Sequence, residues 1–244
     1  MAKNMMIAGK NFPDVVEFAE SLSLSGNGVC VAASPVENTG LSSKEIGVLS
    51  WNKGSALAAR SVVIQAETRL GPIDDYILYF DTASFSKEFD SLRPDVCSQA
   101  TDSMTLGYQY LTMEILNRIQ QKKKDSKLIF VLKTCPSEKD AILNPAVRNS
   151  SPAVCNPIVA AAEASFATFA ETIAAMYGEK ENVSVLLITG DENNEVIQKD
   201  NGFASWLIGY LEAYEQLKHK PNIKNTVSWI RAGVKNPGGF SLFK

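Results

Sequence analysis

The sequence is short of the features that most often announce a chemistry. Its 244 residues hold one histidine, His219, in the polar stretch before Pro221. There it reads as a solvated or helix-capping cation rather than a catalytic base. No Gly-x-Ser-x-Gly elbow and no Walker loop is present, which removes the usual serine-hydrolase and nucleotide-triphosphatase readings. The four cysteines, Cys30, Cys97, Cys135 and Cys155, are widely spaced and form no Cys-x-x-Cys pair. That excludes a zinc signature and a small secreted disulfide framework, and it suits a reducing cytoplasm. A net charge of -3 gives no field to attract nucleic acid or an anionic membrane. The basic run Lys122–Lys124 closes a helical pattern and reads as a solvated C-terminal cap. No apolar run approaches the ~20 residues of a membrane span, and Met5–Ala8 is too short for a signal-peptide core. The expectation is a soluble, cytoplasmic protein with no nucleic-acid or membrane partner. The acidic pairs Asp74-Asp75 and Asp191-Glu192 lack further ligands at fixed spacing, so they read as solvated loop charges and no metal site is expected.

What is there is a regular alternation of short apolar runs and helical periodicity. Hydrophobic residues make up 45% and charged residues 21%, values typical of a globular domain. Strands are expected at Met5–Ala8, Val29–Ala33, Ile46–Trp51, Tyr76–Phe80, Leu128–Leu132, Val183–Ile188 and Val227–Ile230. Between them lie helical patterns at Asp14–Ser23, Ser55–Leu70, Asp102–Lys123, Ile158–Tyr177 and Gly202–Leu217, the second stopped by Gly71-Pro72. Residues 134–156 read as a long loop. Strands apolar on both faces and separated by helices imply a parallel sheet covered on both sides. The fold class expected is α/β, a Rossmann-like three-layer α/β/α sandwich with a mostly parallel, doubly wound sheet of about seven strands. No linker or repeat divides the chain, so residues 1–244 read as one domain.

Three stretches carry a resemblance to a known family. The first runs Ser55-Ala-Leu-Ala-Ala-Arg to Glu67-Thr-Arg-Leu-Gly-Pro-Ile-Asp-Asp-Tyr-Ile-Leu. The second is Ala160-Ala-Ala-Glu-Ala-Ser-Phe through Tyr177-Gly178 with Val183-Ser-Val-Leu-Leu-Ile-Thr-Gly. The third is Asn236-Pro-Gly-Gly-Phe. In order and spacing the chain resembles the short-chain dehydrogenases/reductases over nearly its whole length.

The resemblance implies an active-site helix that begins Tyr-x-x-x-Lys, yet those positions fall on Val159 and Glu163. No tyrosine or lysine lies between 149 and 176 to restore the motif. The serine position after the fifth strand is approached only by Thr134 and Ser137, residues that also form turns. The helical asparagine of the family would fall near Asp102, which reads as a helix N-cap. The family's Thr-Gly-x-x-x-Gly-x-Gly loop is represented by Ala8-Gly9-Lys10-Asn11-Phe12-Pro13-Asp14-Val15. There Pro13 lacks an N–H, Val15 is branched and Asp14 is anionic, all unfavourable to a pyrophosphate at the helix start. The family's Asn-Asn-Ala-Gly reads Phe80-Asp81-Thr82-Ala83. Gly9, Lys10 and Ser34 (with Pro35, at the end of the second strand) are the candidate cofactor-binding residues, and NAD(P) binding is expected to be weakened.

These readings favour a non-catalytic homologue used for binding or assembly. Through helices 102–123 and 158–177 it is expected to form a homo-dimer or homo-tetramer, with Ala160, Ala161, Ala162 and Ala164 allowing close approach. An atypical NAD(P)-dependent oxidoreductase acting on a carbonyl or hydroxyl substrate is the alternative, in which Tyr108, Tyr110 or Thr134 replaces the lost acid. A subunit acting beside an active paralogue is a third reading. Cys135 and Cys155 flank the 134–156 loop, although no histidine neighbours them to activate a thiolate.

Overall fold

The computed structural model describes residues 2–34, 46–91, 93–136, 142–143, 154–177, 182–218 and 227–235. Ser137, His219, Asn236–Phe240 and most of the 134–156 loop therefore lie outside the described residues.

The apolar runs become strands close to their expected limits: β1 Asn4–Ala8, β2 Gly28–Ala33, β3 Ile46–Ser50, β4 Asp75–Asp81, β5 Ser126–Thr134 and β6 Val183–Asp191. A two-residue β7, Ile230–Arg231, lies at the end of the expected Val227–Ile230 strand. All pairings are parallel and the order is β3-β2-β1-β4-β5-β6-β7, a doubly wound Rossmann-like sheet. The order reverses at β1, which pairs with β2 on one side and β4 on the other. The crevice at the carboxyl ends of β1 and β4 is therefore the place where this architecture takes ligands.

Successive strand residues face opposite sides, so each strand feeds two cores. Met6, Ala8, Leu78 and Phe80 face α2 (Ala56–Leu70) and the long helices that follow β4 and precede β6; Met5, Ile7, Ile77 and Tyr79 face α1 (Val15–Leu24) and the last helix. α2 begins where Ser55 Oγ accepts the Ala58 N–H, and ends at Gly71, whose φ of +85° suits glycine.

Three elements differ from expectation. A short α3, Thr82–Glu88, follows β4 directly, because the Asp81 carboxylate accepts the N–H groups of Ala83 and Ser84. The helix expected from Asp102 starts earlier, with Pro94 in its first turn: α4 (Pro94–Thr101) continues through a π turn at Asp102–Leu106 into α5 (Gly107–Lys122). Asp102 is thus internal to a helical run and is not its N-cap. The π turn coincides with a close approach, since a Cβ on Gly107 would lie 2.7 Å from Lys53 Cβ. α6 (Pro157–Tyr177) follows, then a short α7 (Glu195–Gln198) and α8 (Asp200–Lys218). By length and composition α6 could cross a membrane, but its Val159, Ala162, Phe166, Ala170 and Ile173 are buried as part of the core beneath it.

At the amino ends of the strands the charges interlock. Asp75, fully buried, lies 3.1 Å from Lys127 and 3.8 Å from Lys3, and both lysines reach Glu215 on α8. Asp74 pairs with Lys124 at 2.8 Å and Lys122 with Glu67 at 2.8 Å. The expectation of solvated loop charges is therefore wrong for Asp75, which is a buried strand residue whose charge is held by two lysines.

Candidate functional site

The switch-point crevice is built from the segment after β1 and the segment after β4. Gly9, Lys10, Asn11, Asp14, Asp81, Ser84 and Phe85 line it, and its cavity volume is about 10 Å³. That is room for roughly one water molecule, whereas pockets that enclose a drug-sized ligand span roughly 300–1,000 Å³, so this one does not accommodate a dinucleotide.

Gly9 is confirmed as a glycine position by its backbone. Its φ is +93°, and a Cβ there would lie 2.2 Å from the Tyr79 carbonyl oxygen and 2.3 Å from the Tyr108 hydroxyl. The space beside Gly9 is thus filled by the protein itself. Tyr108 donates its hydroxyl to the Tyr79 carbonyl at 2.6 Å, and its ring packs among Trp51, Phe80 and Phe166. Burial, with the charges of Glu88 and Asp81, holds the Tyr108 phenol well above its ordinary range. Of the candidate acids, Tyr108 is a fully committed core residue, while Tyr110 and Thr134 are half-buried.

Lys10 turns inward. Its ammonium lies 2.8 Å from the Asp200 carboxylate and 5.1 Å from the Tyr79 ring centre, and the side chain is 7% exposed. At the start of α1 the Val15 N–H donates to Asn11 O at 3.0 Å and the Val16 N–H to Pro13 O at 3.1 Å. Donors that would face a pyrophosphate at a helix start are thus engaged by the loop itself, and Pro13 has none. Asp14 and Asp81 add two carboxylates to the crevice wall. The residues around Gly9 do not fit a dinucleotide phosphate. Ser34, just beyond β2, is half-buried and does not line the crevice.

The second half of the site lies where β5 ends and α6 begins. Val159, in the first turn of α6, is fully buried in the core that also holds Phe166 and Tyr108. Glu163 follows one turn later, half-buried and near the two cysteines. Asn156 starts the helix: its Oδ1 accepts the N–H groups of Ile158 and Val159, and its amide donates to Phe89 O at 2.6 Å. Thr134 closes β5 opposite Asp191. Beside it, Thr82 Oγ1 donates to Lys133 O at 3.1 Å and accepts the Cys135 N–H at 2.7 Å. Cys135 and Cys155 are both buried, and Cys155 Sγ lies 4.0 Å from the Cys135 carbonyl oxygen.

Two participants had no local signal in the sequence. Asp200 meets Lys10 across 190 positions. Lys53, just past β3, is 4% exposed and its ammonium has no hydrogen-bond partner among the described residues, sitting 5.1 Å from the Phe85 ring centre and 5.7 Å from that of Trp51. Burial holds its pKa below the ordinary lysine value, against the pull of Glu88. Among the described residues no three His, Cys, Asp or Glu side chains group as a metal site requires.

No protein-family model matches the sequence, and no curated protein matches it. Solved structures do. A short-chain dehydrogenase/reductase from Serratia marcescens is similar at 13% identity with a TM-score of 0.60, over 96% of this chain and 98% of that one. A short chain dehydrogenase from Mycobacterium smegmatis is similar at 11% identity with a TM-score of 0.63, over 96% and 93%. An NADH-dependent reductase complexed with NAD is similar at 12% identity with a TM-score of 0.59, over 94% of both chains. At such identities the likeness is one of fold, and end to end this chain has the short-chain dehydrogenase/reductase fold.

Proposed function

We propose that this chain is a non-catalytic protein of the short-chain dehydrogenase/reductase type, which keeps the fold for binding or assembly. The observation that carries the proposal is Val159. It stands where the resemblance puts the proton donor, and it is 0% exposed within the core. A buried isopropyl group has no proton to transfer, and a general acid must come within hydrogen-bond reach of its substrate. The loop after β1 supports the same reading, because Lys10 is engaged by Asp200 and the first α1 N–H groups by backbone carbonyls.

The alternative, an atypical NAD(P)-dependent oxidoreductase, would require a substitute acid. Tyr108 would have to leave the Tyr79 carbonyl and its aromatic neighbours.

Assembly is the use we favour. Of the alanines expected to allow close approach, Ala161 and Ala164 are exposed on α6 and Ala160 is half-buried, whereas Ala162 packs into the core and is not part of that surface; Met176 on α6 and Met113 on α5 are exposed as well. This surface is suited to pairing helices across a two-fold axis, into a homo-dimer or homo-tetramer. Cytoplasmic residence accords with the reduced cysteines.

The test is a melting-temperature series with NAD, NADH, NADP and NADPH, run beside carbonyl-reduction assays and light scattering. We expect no shift, no turnover and a mass above the monomer. Binding at 100 times Kd stabilises by about 2.7 kcal/mol, so a saturable rise with any of the four would overturn the reading.

A further inference from the structure

We propose that Cys135 and Cys155 form an oxidisable dithiol, a covalent modification site in which peroxide converts the pair to a disulfide that staples the end of β5 to the start of α6. The backbone places them together: the Cys155 N–H donates to Pro136 O at 2.8 Å, and Cys155 Sγ lies 4.0 Å from the Cys135 carbonyl oxygen. The Cys155 sulfur thus already reaches the Cys135 main chain, and a disulfide spans Cα separations of ~4.4–6.8 Å. Asn156 capping α6 and Thr82 bonding the Cys135 N–H hold both ends of the pair.

The two thiols are not equivalent. The Cys155 S–H is directed at the Cys135 carbonyl oxygen at 4.0 Å, and the nearness of Cys155 and Thr82 holds the Cys135 thiol below its ordinary range despite burial and the charges of Glu163 and Asp81. The nearness of Cys135, together with burial, keeps the proton on Cys155. Cys135 is also the more accessible, at 8% exposed against 1%. It is the attacking thiolate and Cys155 the resolving thiol.

In the first step the Cys135 sulfur bonds to one peroxide oxygen, the O–O bond breaks, and hydroxide leaves to take a proton as water. In the second, Cys155 loses its proton and its sulfur bonds to that of the Cys135 sulfenic acid. The S–O bond breaks and the departing hydroxide takes the proton as water. Two thiols lose two electrons and hydrogen peroxide is reduced to two waters. This inference does not rest on the absence of catalysis.

The full chain is treated with hydrogen peroxide, denatured, alkylated with N-ethylmaleimide and mapped by mass spectrometry. The expected product is a peptide linking Cys135 to Cys155, lost on dithiothreitol treatment, with Cys30 still alkylated and a raised melting temperature. In Cys155→Ser the Cys135 sulfenic acid should be trapped by dimedone. If Cys135 and Cys155 both stay alkylatable under conditions that oxidise the exposed Cys97, the proposal is overturned. Over-oxidation of Cys135 in the wild-type chain without a linked peptide overturns it equally, and neither result depends on a variant folding.

Discussion

The two ends of the sheet treat charge differently. At the amino ends of β1, β4 and β5, Lys3, Asp75, Lys127 and Glu215 interlock, so that a wholly buried carboxylate faces two ammonium groups. At the carboxyl ends, where this architecture takes ligands, Lys10 is closed off by Asp200, while Lys53 is buried against aromatic rings and its ammonium has no hydrogen-bond partner among the described residues. One end uses ion pairs to lock strands in place. The other encloses an ammonium against aromatic rings. The lesson is that buried charge marks stability only where its partner is present, because unpaired burial costs about 1–3 kcal/mol for a hydrogen-bonding group and more for an ion.

The largest effect is expected from breaking the amino-end network. Lys127→Ala leaves the Asp75 carboxylate with only Lys3 at 3.8 Å, and removal of one partner from a buried pair costs about 3–5 kcal/mol. Urea denaturation would measure it. A loss below 1 kcal/mol would mean that water, not Lys127, compensates Asp75.

Lys53→Met should act in the opposite direction, by a smaller amount. A flexible apolar chain of similar length removes the unpaired amine, for a gain of about 1–2 kcal/mol. Since the Lys53 pKa lies below its unfolded value, its charged form destabilises the fold at neutral pH, and this penalty fades as pH rises toward 10.5. The advantage of the variant over wild type should therefore shrink between pH 7 and pH 10. An advantage independent of pH would assign it to packing alone.

The smallest effect concerns acid. Glu215 is held below the usual carboxylate range: burial opposes its ionisation, but bonds to Lys127 and Lys3 prevail. A depressed folded pKa gives stability that is present above the unfolded value of 4.5 and is lost as pH falls through the folded one. Glu215→Gln should flatten this part of the acid limb while leaving the rest. Identical acid limbs in variant and wild type would remove Glu215 from the account. Its side chain is 44% exposed, so solvent screens the pair.

The central strands were legible because they are runs of apolar residues buried on both faces, and β1, β2 and β4 fall within a residue or so of their expected limits; the edge strand β3 has one face exposed at Val48 and Ser50. α3 was not legible, since Thr82–Glu88 has too few apolar residues to show a period and is set by the Asp81 cap. The start of the long helix was misplaced at Asp102 because only Ala100 is buried along α4. At the candidate site, the residues that stand at the positions of the resembled motifs, Val159, Glu163 and Pro13, could be read directly, but not what surrounds them. Tyr108 reads as an ordinary helical aromatic until its hydroxyl is seen beneath Gly9.

The sequence by itself determined the alternation of strand and helix and the parallel, doubly wound class of sheet, because period and apolarity are local and summed over many residues; the strand order and its switch point came with the structure. Only the tertiary structure decided which charges are paired, that Lys10 meets Asp200 and Lys127 meets Glu215, and that the Cys155 thiol reaches the Cys135 main chain. Those contacts join positions up to 190 residues apart. They arise when helices cross strands, a geometry that no local propensity encodes.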